Sequence, residues 1–307
     1  MKELSFMNIL SLPDKDPVAY QKLGMALASQ GNLDEAIALL WKAIAITPDD
    51  ALAHRNLGII FMKRGDLAEA EIHLQRAVSL NPSDLSAKHL VAAMTGQTPE
   101  TIPGEYVREL FDQYSEVFDH HLLDILEYHT PTLLRQGFQS VLEKDMRFRN
   151  VLDLGCGTGL AGLAFQAMAD QLTGIDISLQ MVRQARAKNI YHILRCGDIL
   201  SFLDHTDESY DLFVASDVLV YMGNLSPVFK GVRQRSVAGA YFVFSTEISQ
   251  KNDFELCQTG RFAHAPSYIQ SIAEANGFAM KASWRAVLRK ECGQDVIGQV
   301  TITKLDS

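Results

Sequence analysis

The sequence predicts an all-α unit of repeated helical hairpins followed by an α/β domain with a seven-stranded, mostly parallel sheet. Three observations support this prediction. Residues 17–84 repeat themselves with an offset of 34, a period typical of stacked helical hairpins. From residue 105 onward, apolar strand candidates alternate with helical segments, as in an open sheet with helices on both faces. The stretch VLDLGCGTGL, at 151–160, joins one such strand to a glycine-rich loop.

The front repeat has the pattern expected of a helical hairpin. Gly24 and Gly58 are predicted to let the two helices of a hairpin approach closely, whereas Gly31 and Gly65 break the chain between helices. A proline stops each second helix before the next unit begins. The matched positions, each 34 residues apart (for example 57 − 23), are Leu23 and Leu57, Gly24 and Gly58, Gly31 and Gly65, Ala36 and Ala70, Leu40 and Leu74, Ala43 and Ala77, and Pro48 and Pro82.

These positions resemble the tetratricopeptide repeat, with Tyr20, Leu27 and Phe61 also at expected places. A third unit begins at Asp84 and stops after one helix near Gly96, as a capping helix would. Such arrays usually need about three units to be stable. The module is therefore expected to be stabilised by packing against the other domain, the N-terminal extension or a partner. Its role stays open between an assembly platform and a groove for a partner peptide. The predicted organisation is an N-terminal extension (1–16), the repeats with the capping helix (17–96), a polar linker (97–104) and the second domain (105–307).

Composition and charge argue against several functional classes. Apolar residues make up 47% and charged residues 21%, as in an ordinary soluble globular protein. The formal net charge of −9 argues against a general binder of nucleic acid or anionic membrane, because both need a basic surface. Two small basic groups are interpreted as solvated faces: Lys144, Arg147 and Arg149, and Arg285, Arg289 and Lys290.

The sequence carries no predicted targeting, membrane or metal-binding segment. No stretch reaches the roughly 18 apolar residues of a membrane span, and the apolar run near the N-terminus is too short for a signal peptide. A cytoplasmic setting is therefore expected. The cysteines show neither a CxxC pairing nor a metal-type spacing with histidine, so no metal site or disulfide framework is predicted. They are Cys156, Cys196, Cys257 and Cys292.

The second domain is predicted element by element from its apolar runs. Its strand candidates are 150–154, 171–175, 191–195, 210–215 and 240–245, with a closing hairpin over 279–289 and 295–304. Its predicted helices are 159–169, 178–188, 225–235 and 266–276. Because ligands of such sheets bind outside the carboxyl ends of the strands, the polar residues at those ends are the candidate site.

The glycine loop could serve a dinucleotide or another cofactor. A loop that binds a dinucleotide has the pattern G-x-G-x-x-G. In this sequence Leu160 occupies the position of the third glycine, and the glycine lies one residue earlier, at Gly159. Asp153, two residues before Gly155, would repel a pyrophosphate. A cofactor with a cationic amine would instead be attracted to it, and S-adenosylmethionine carries both an amine and a sulfonium.

The series Asp153, Gly155, Gly157 and Gly159, at every second position, resembles the first motif of class I S-adenosylmethionine-dependent methyltransferases. Together with the front repeats, the chain resembles, over nearly its whole length, a bacterial group of predicted methyltransferases carrying tetratricopeptide repeats. The resemblance implies a Rossmann-like domain that binds S-adenosylmethionine. It says little about the methyl acceptor.

The resemblance also implies roles for residues that follow the loop. Asp176, at the end of the second strand, would accept hydrogen bonds from the ribose hydroxyls, and Met181 would cover the adenosine. Asp198 would contact the adenine amino group, and Ile177 and Ile199 would form an apolar slot for the base. The alternative for both carboxylates is simple turn chemistry at a strand end. The segment YDLFVASDVLVYMG, which contains Ser216, would pass the methionine end of the cofactor.

Residues 106–119 are predicted to form a helix with an apolar face. In related methyltransferases a similar segment folds over the cofactor, and here Tyr114 or Phe118 would make the contact. The alternative is a face that only packs on the sheet. The residues of this face are Val107, Leu110, Phe111, Tyr114 and Phe118.

Five residues are candidates for contact with the acceptor. Asp217, Tyr221, Glu247 and His264 are the possible general bases, and Arg261 could hold an acceptor carboxylate. Each has a structural alternative: a helix cap for Asp217, a solvated loop for Glu247 and a loop-fastening hydrogen bond for His264.

The sequence thus predicts in-line methyl transfer from S-adenosylmethionine to a small molecule, with the repeats used for assembly or recruitment. The alternatives are a protein side chain delivered by the repeat groove and a non-catalytic scaffold that binds the cofactor. The motif Asn-Pro-Pro-Tyr is absent after the fourth strand, where Ser216 and Asp217 stand instead, which argues against adenine and glutamine-amide targets.

Overall fold

The computed structural model describes residues 16–115, 118–142, 146–251, 253–291 and 293–306. The predicted N-terminal extension, apart from Asp16, lies outside the described residues, as do Lys144 and Cys292. The chain divides into two compact units. Unit 1 contains the residues up to Gln97 together with Cys257–Gly260, and unit 2 contains Thr98–Leu256 and Arg261–Ser307.

Within the described residues, unit 1 contains two helical hairpins and a single further helix. The helices are α1 (Pro17–Ser29), α2 (Leu33–Ile46), α3 (Ala51–Arg64), α4 (Leu67–Leu80) and α5 (Leu85–Met94). The close approach predicted at the glycines is present: a Cβ on Gly24 would lie 3.2 Å from the Ala36 carbonyl oxygen, and one on Gly58 would lie 2.7 Å from Leu74 Cγ. Side chains larger than glycine would push the paired helices apart at these positions.

The hairpins are joined by a polar contact that repeats with the sequence. Asp16, Asp50 and Asp84 are the N-caps of α1, α3 and α5, and each carboxylate accepts a backbone N–H of the first turn. Gln21 Nε2 donates to Asp50 Oδ2 (2.7 Å), and Arg55 Nη1 donates to Asp84 Oδ2 (3.1 Å). One aspartate therefore starts each odd-numbered helix, and two of them also join helices: Asp50 ties α3 to α1, and Asp84 ties α5 to α3.

Unit 2 contains one mixed sheet. Its strands are β1 (Phe148–Leu154), β2 (Ala169–Asp176), β3 (Ile193–Cys196), β4 (Tyr210–Ala215), β5 (Ser236–Ile248), β6 (Phe254–Leu256), β7 (Phe262–His264), β8 (Phe278–Glu291) and β9 (Gln294–Leu305). The order is β3-β2-β1-β4-β5-β7-β6, while β9 pairs antiparallel with β5 and β8 pairs with β9. Strands β1 to β5 are parallel, as predicted.

The prediction of seven strands is wrong, because the sheet has nine. The two additional strands, β6 and β7, are three residues long and pair antiparallel with each other. Runs this short show no alternation of apolar and polar residues, so periodicity cannot reveal them.

The helices of unit 2 cover the sheet. They are α6 (Gly104–Tyr114), α7 (Thr130–Val141), α8 (Leu160–Phe165), α9 (Leu179–Ala187), α10 (Ile199–His205), α11 (Ser226–Gln234) and α12 (Pro266–Ala275). Helices α7 and α10 were not predicted. Successive residues of β4 alternate between two apolar cores, with Leu212 and Val214 in one and Phe213 and Ala215 in the other. The sheet is therefore buried on both faces.

The strand order changes direction at β1. Strand β2 lies on one side of β1 and β4 on the other, so the loops after β1 and β4 diverge and leave a crevice at the carboxyl ends. Thr101 forms an isolated bridge with Met222, and α6 begins at Gly104, so unit 2 starts within the predicted linker. Among the described residues, no helix is long and apolar enough to span a membrane.

Candidate cofactor and acceptor site

The loop after β1 has a backbone that only glycine adopts readily. Gly155, Gly157 and Gly159 have φ values of 68°, 52° and 97°, in the left-handed region. A Cβ on Gly155 would lie 2.3 Å from Val218 Cγ2, so a larger residue is also excluded by contact. The loop thereby brings its backbone close to the segment after β4, beside the crevice.

Asp176 ends β2 and lies against this loop. Its Oδ2 accepts the Gly157 N–H (2.9 Å) and its Oδ1 accepts the Ser178 N–H (2.8 Å). The side chain is 7% exposed, and burial raises its pKa to about 6, against the effect of these two bonds. A carboxylate oxygen can accept two hydrogen bonds, so each oxygen retains the capacity to accept one from a ribose hydroxyl.

Asp153, near the end of β1, is deeply buried, with 1% of the residue exposed. Its Oδ2 accepts the Tyr191 hydroxyl (2.5 Å), whereas no described residue donates to the buried Oδ1. Burial raises the pKa of Asp153 to about 7, and nearby Asp176 adds to the rise. Tyr191, which comes from the loop before β3, was not among the candidate residues of the sequence analysis. The predicted contact of Asp153 with a cationic amine stays a prediction.

The residues expected around adenine differ in how accessible they are. Asp198 is exposed and caps α10, accepting the Ser201 N–H at 2.8 Å, so the turn chemistry named as its alternative is present. Met181 is fully buried and Ile199 is 6% exposed within the core. Ile177 is half-buried, and its Cδ1 would lie 3.3 Å from a Cβ on Gly104. The contacts proposed for these residues remain predictions.

Helix α6 and the turn Phe118–His120 cover the glycine loop. Phe118 belongs to this separate turn, so the expectation of a single helix over 106–119 is wrong. The Phe118 ring nevertheless reaches the loop, with Cε1 3.9 Å from the position of a Cβ on Gly157, and it packs edge-on against Tyr114. The ring of Phe111 meets that of Tyr221 edge-on, with 5.2 Å between centroids.

Two carboxylates that the sequence analysis missed hold this covering segment in place. Asp112 Oδ1 accepts the Ser178 hydroxyl (2.6 Å), two residues beyond Asp176. Asp119 accepts the Lys188 ammonium (2.6 Å) and also the hydroxyl of Thr158 in the glycine loop. The only sequence signal was that both acids lie on a segment already expected to fold over the loop.

A cluster of buried charges lies beyond the ends of β4 and β5. Asp217 has a φ of 53°, and its Oδ1 and backbone N–H both bond to Ser245 Oγ (2.8 and 2.9 Å). Arg289 donates to Asp217 Oδ2 (2.8 Å) and to Glu247 Oε1. Arg261 donates to the same Glu247 oxygen (2.8 Å) and to Glu291 Oε2 (2.5 Å).

The cluster changes the interpretation of two arginines. Arg289 was assigned to a solvated basic face, but it is 7% exposed and forms two ion pairs, so that assignment is wrong. The register of β8 against β9 shifts at this residue, which places both Leu288 and Arg289 in buried surroundings and breaks the alternation. Arg261, expected to hold an acceptor carboxylate, is instead paired with Glu247 and Glu291.

The remaining candidates also have defined partners. His264 is buried in β7 and its Nε2–H is shared between the Met222 and Gly223 carbonyl oxygens (2.8 and 3.0 Å), the loop-fastening role named as its alternative. Burial lowers the pKa of His264 to about 4. Ser216 Oγ shares a hydrogen bond with the hydroxyl of Tyr128 (2.8 Å), another residue that the sequence analysis missed.

The site is built from side chains and loop backbone alone. Among the described residues, no group of three or more His, Cys, Asp or Glu side chains is placed to hold a metal ion. What the structure brings together, at one edge of the sheet, is a glycine loop with positive φ values, two buried carboxylates, an aromatic cover and an ion cluster.

Comparison with known proteins agrees with both units. Residues 151–236 match the family described as "Methyltransferase domain", residues 24–65 match "TPR repeat" and residues 51–84 match "Tetratricopeptide repeat". The chain is 29% identical over 144 residues to a malonyl-[acyl-carrier protein] O-methyltransferase of Salmonella typhimurium, covering 46% of this chain and 55% of that protein. It is 26% identical to a ubiquinone biosynthesis O-methyltransferase of Shewanella halifaxensis, covering 38% and 52%.

The chain spans about half the length of the curated relatives it matches. Among solved structures, the magnesium protoporphyrin IX methyltransferase of Synechocystis PCC 6803 with bound S-adenosylhomocysteine has the same fold, with a TM-score of 0.51 and 14% identity. That likeness covers 66% of this chain and 99% of that one. The chain therefore carries tetratricopeptide repeats, matched over residues 24–84, in front of a methyltransferase domain that is matched over residues 151–236 and shares the fold of that S-adenosylhomocysteine-bound structure.

Proposed function

We propose that the protein is an S-adenosylmethionine-dependent methyltransferase that acts on a small molecule. The observation that carries this proposal is Asp176, a buried carboxylate at the end of β2 that is held by the N–H of Gly157 in the glycine loop. The match of residues 151–236 to a methyltransferase family supports the same assignment.

The residues present fit a cationic nucleoside better than a dinucleotide. Asp153 and Asp176 place two carboxylates at adjacent strand ends, and Oδ1 of Asp153 is buried without a donor among the described residues. A pyrophosphate at this edge would meet two negative charges, whereas a cationic amine would be attracted by them. The helix after the loop, α8, has only six residues and contributes little dipole to offset that repulsion.

The chain's own residues can be given roles toward the cofactor. Asp176 would bind the ribose hydroxyls and Asp198 the adenine amino group, with Ile177, Met181 and Ile199 around the base. When bound, S-adenosylmethionine would supply the methyl group of its sulfonium to the acceptor by in-line displacement, with S-adenosylhomocysteine as the leaving group. Tyr114 and Phe118 would face that cation, a contact worth about 0.5–2 kcal/mol.

The protein's main contribution would be orientation and exclusion of water. The ties of Asp112 to Ser178 and of Asp119 to Lys188 hold the aromatic cover over the glycine loop. Of the candidate bases, the carboxylate of Glu247 is bound to two guanidiniums, which suits it to binding more than to proton transfer. Asp217 is likewise paired with Arg289, so we assign Asp217, Glu247 and Tyr221 to contact with the acceptor.

The small-molecule acceptor is supported by the covered site and by the name of the Shewanella halifaxensis relative, a ubiquinone biosynthesis O-methyltransferase. The Salmonella typhimurium relative is named for an acceptor attached to a carrier protein. For the repeats we propose a role in assembly or recruitment, because tetratricopeptide arrays present extended surfaces to other chains. A protein acceptor delivered by the repeats is the second candidate, favoured only by their presence.

The test is transfer of a labelled methyl group to metabolites and proteins of a cell extract. Wild-type protein should label at least one acceptor, and Asp176→Ala should abolish labelling while its thermal melt stays that of a folded protein. The matched control is Asp207→Ala, which changes an exposed aspartate of the same unit and should label like the wild type. Full-rate labelling by Asp176→Ala would contradict the proposal, and a labelled protein band would favour the second candidate.

A further inference from the structure

Tyr191, in the loop before β3, packs into a space that three glycines leave open. A Cβ on Gly162 of α8 would lie 2.3 Å from the Tyr191 hydroxyl oxygen, and one on Gly174 of β2 would lie 2.8 Å from its Cε1. A Cβ on Gly159 would lie 3.1 Å from its Cε2. Gly162 and Gly174 do not have a positive φ, so the tyrosine ring, and not the backbone, is what excludes a side chain at these two positions.

The ring brings its hydroxyl to Asp153. Asp153 pairs with Gly174 across β1 and β2, so the ring that covers Gly174 also reaches the neighbouring carboxylate. The Tyr191 hydroxyl donates to Asp153 Oδ2 at 2.5 Å, and Asp153 is 1% exposed. A short hydrogen bond to a carboxylate that water barely reaches favours one orientation of that carboxylate and also its ionised form.

The titratable groups that face Asp153 come from four segments. They are Asp176 at the end of β2, Cys156 after β1, Tyr128 before α7 and Tyr191. Burial raises the pKa of Asp153 to about 7, the hydrogen bond from Tyr191 opposes this rise, and Asp176 adds to it. Of the four groups, Tyr191 is the one hydrogen-bonded to Asp153. Burial raises the pKa of the Tyr191 hydroxyl well above its ordinary value, so it keeps its proton and remains a donor at neutral pH.

We propose that Tyr191 is a positioning residue, whose hydroxyl fixes the Asp153 carboxylate in the orientation and charge state that attract the amine of the cofactor. This inference rests on the proposed function, because it concerns the cofactor of the same site. Tyr191 itself acts only through Asp153. Its loss should therefore change the pH at which the cofactor binds, whereas a merely structural role would weaken binding equally at every pH.

The test is Tyr191→Phe, which removes the hydroxyl and keeps the ring among the glycines. Binding of S-adenosylhomocysteine to the full chain is measured by calorimetry from pH 5.5 to 8.5. Without the hydrogen bond the carboxylate is protonated more readily, so the pH profile should move upward by about one unit. The variant should bind about tenfold more weakly than the wild type at pH 6 and within about threefold of it at pH 8.5.

Two controls isolate the contact with Asp153. In an Asp153→Asn background, Tyr191→Phe should change the affinity by less than about twofold at every pH, because the group it acts through no longer titrates. Tyr210→Phe removes a hydroxyl that also donates to a carboxylate, that of Glu208 at 2.7 Å, but at the amino end of β4. It should bind S-adenosylhomocysteine like the wild type.

Gly162→Ala is a second variant that decides the matter if Tyr191→Phe does not fold. Its methyl group would displace the Tyr191 hydroxyl, while alanine otherwise favours the helix, so the pH profile should move in the same direction. A Tyr191→Phe variant that binds like the wild type, or that is weakened equally at every pH, would overturn this inference alone. A wild type that binds no S-adenosylhomocysteine at any pH would instead overturn the proposed function, and this inference with it.

Discussion

At the scale of single residues, the two buried carboxylates at the strand ends dominate the site. Burial raises the pKa of Asp153 to about 7 and that of Asp176 to about 6, so part of each population is protonated near neutral pH. Keeping these groups ionised costs free energy that a bound cation would offset. Their burial therefore makes cofactor binding dependent on pH.

We predict that S-adenosylhomocysteine binds more tightly as the pH rises from 5.5 to 8. The ligand's amine favours the ionised carboxylates, so binding lowers their pKa values and releases protons. The dissociation constant should fall about tenfold or more over this range. Calorimetry in two buffers of different ionisation enthalpy measures both the affinity and the protons released. Asp153→Asn should remove most of the dependence, and an affinity that does not change with pH would contradict the electrostatic role.

At the scale of elements, the ion cluster joins strands that are far apart in sequence. Arg289 comes from β8, and its partners follow β4 and end β5. Removing one member of a buried ion cluster leaves uncompensated charge, which typically costs about 3–5 kcal/mol.

We predict that Arg289→Met lowers the free energy of unfolding by about this amount, measured by urea titration. Arg285→Met is the matched control, because Arg285 is an exposed residue of the same strand and should change stability by no more than about 0.5 kcal/mol. Equal effects of the two substitutions would show that the cluster contributes little to stability.

A second prediction at this scale concerns the fastening of β7. Burial lowers the pKa of His264 from 6.5 to about 4. The protein is therefore about 3 kcal/mol more stable at neutral pH than it is below the lowered pKa, as far as this residue is concerned. Because the unfolded chain binds the proton more readily, this stability is present above pH 6.5 and is lost as the pH falls toward 4.

The measurement is urea unfolding at pH 7, 5.5 and 4.5, followed by the fluorescence of Trp284 in a Trp41→Phe background, so that only unit 2 reports. His264→Gln should lower stability at pH 7 and flatten the loss on acidification. His205→Gln changes an exposed histidine and should leave the loss intact. A His264→Gln variant that loses stability on acidification as steeply as the parent would contradict the prediction.

At the scale of the whole molecule, the repeat unit is small. From Asp16 onward, where the structure describes it, the unit has two hairpins and one further helix, and it includes Cys257–Gly260 from a distant part of the sequence. Arrays of fewer than about three repeats bury too little apolar surface to be stable alone.

We predict that residues 1–97, expressed alone, are less stable than the same residues in the full chain. Amide hydrogen exchange in α1 to α5 should be at least about tenfold faster in the fragment, since local and global opening both become easier. A fragment extended with unrelated flexible residues controls for chain length. Equal protection in fragment and full chain would show that the repeats are self-sufficient.

The candidate site was only partly predictable from the sequence. The glycine loop and Asp176 follow from local spacing, because a positive φ and a strand end are local properties, and both stand where predicted. His264 and Arg261 were singled out as polar residues near the sheet edge, but their partners could not be foreseen. Those partners are carbonyl oxygens and carboxylates more than ten residues away in the chain.

What the sequence by itself determined is the repeat of 34 residues, the parallel α/β order and the motif at 151–160, since all three depend on periodicity and near neighbours. What only the tertiary structure decided is which side chains meet. Arg289 is charged and looks solvent-exposed in the sequence, yet an irregularity in β8 buries it against Asp217 and Glu247. Register and strand order are set by the packing of the whole sheet, so no local pattern could have placed these three residues together.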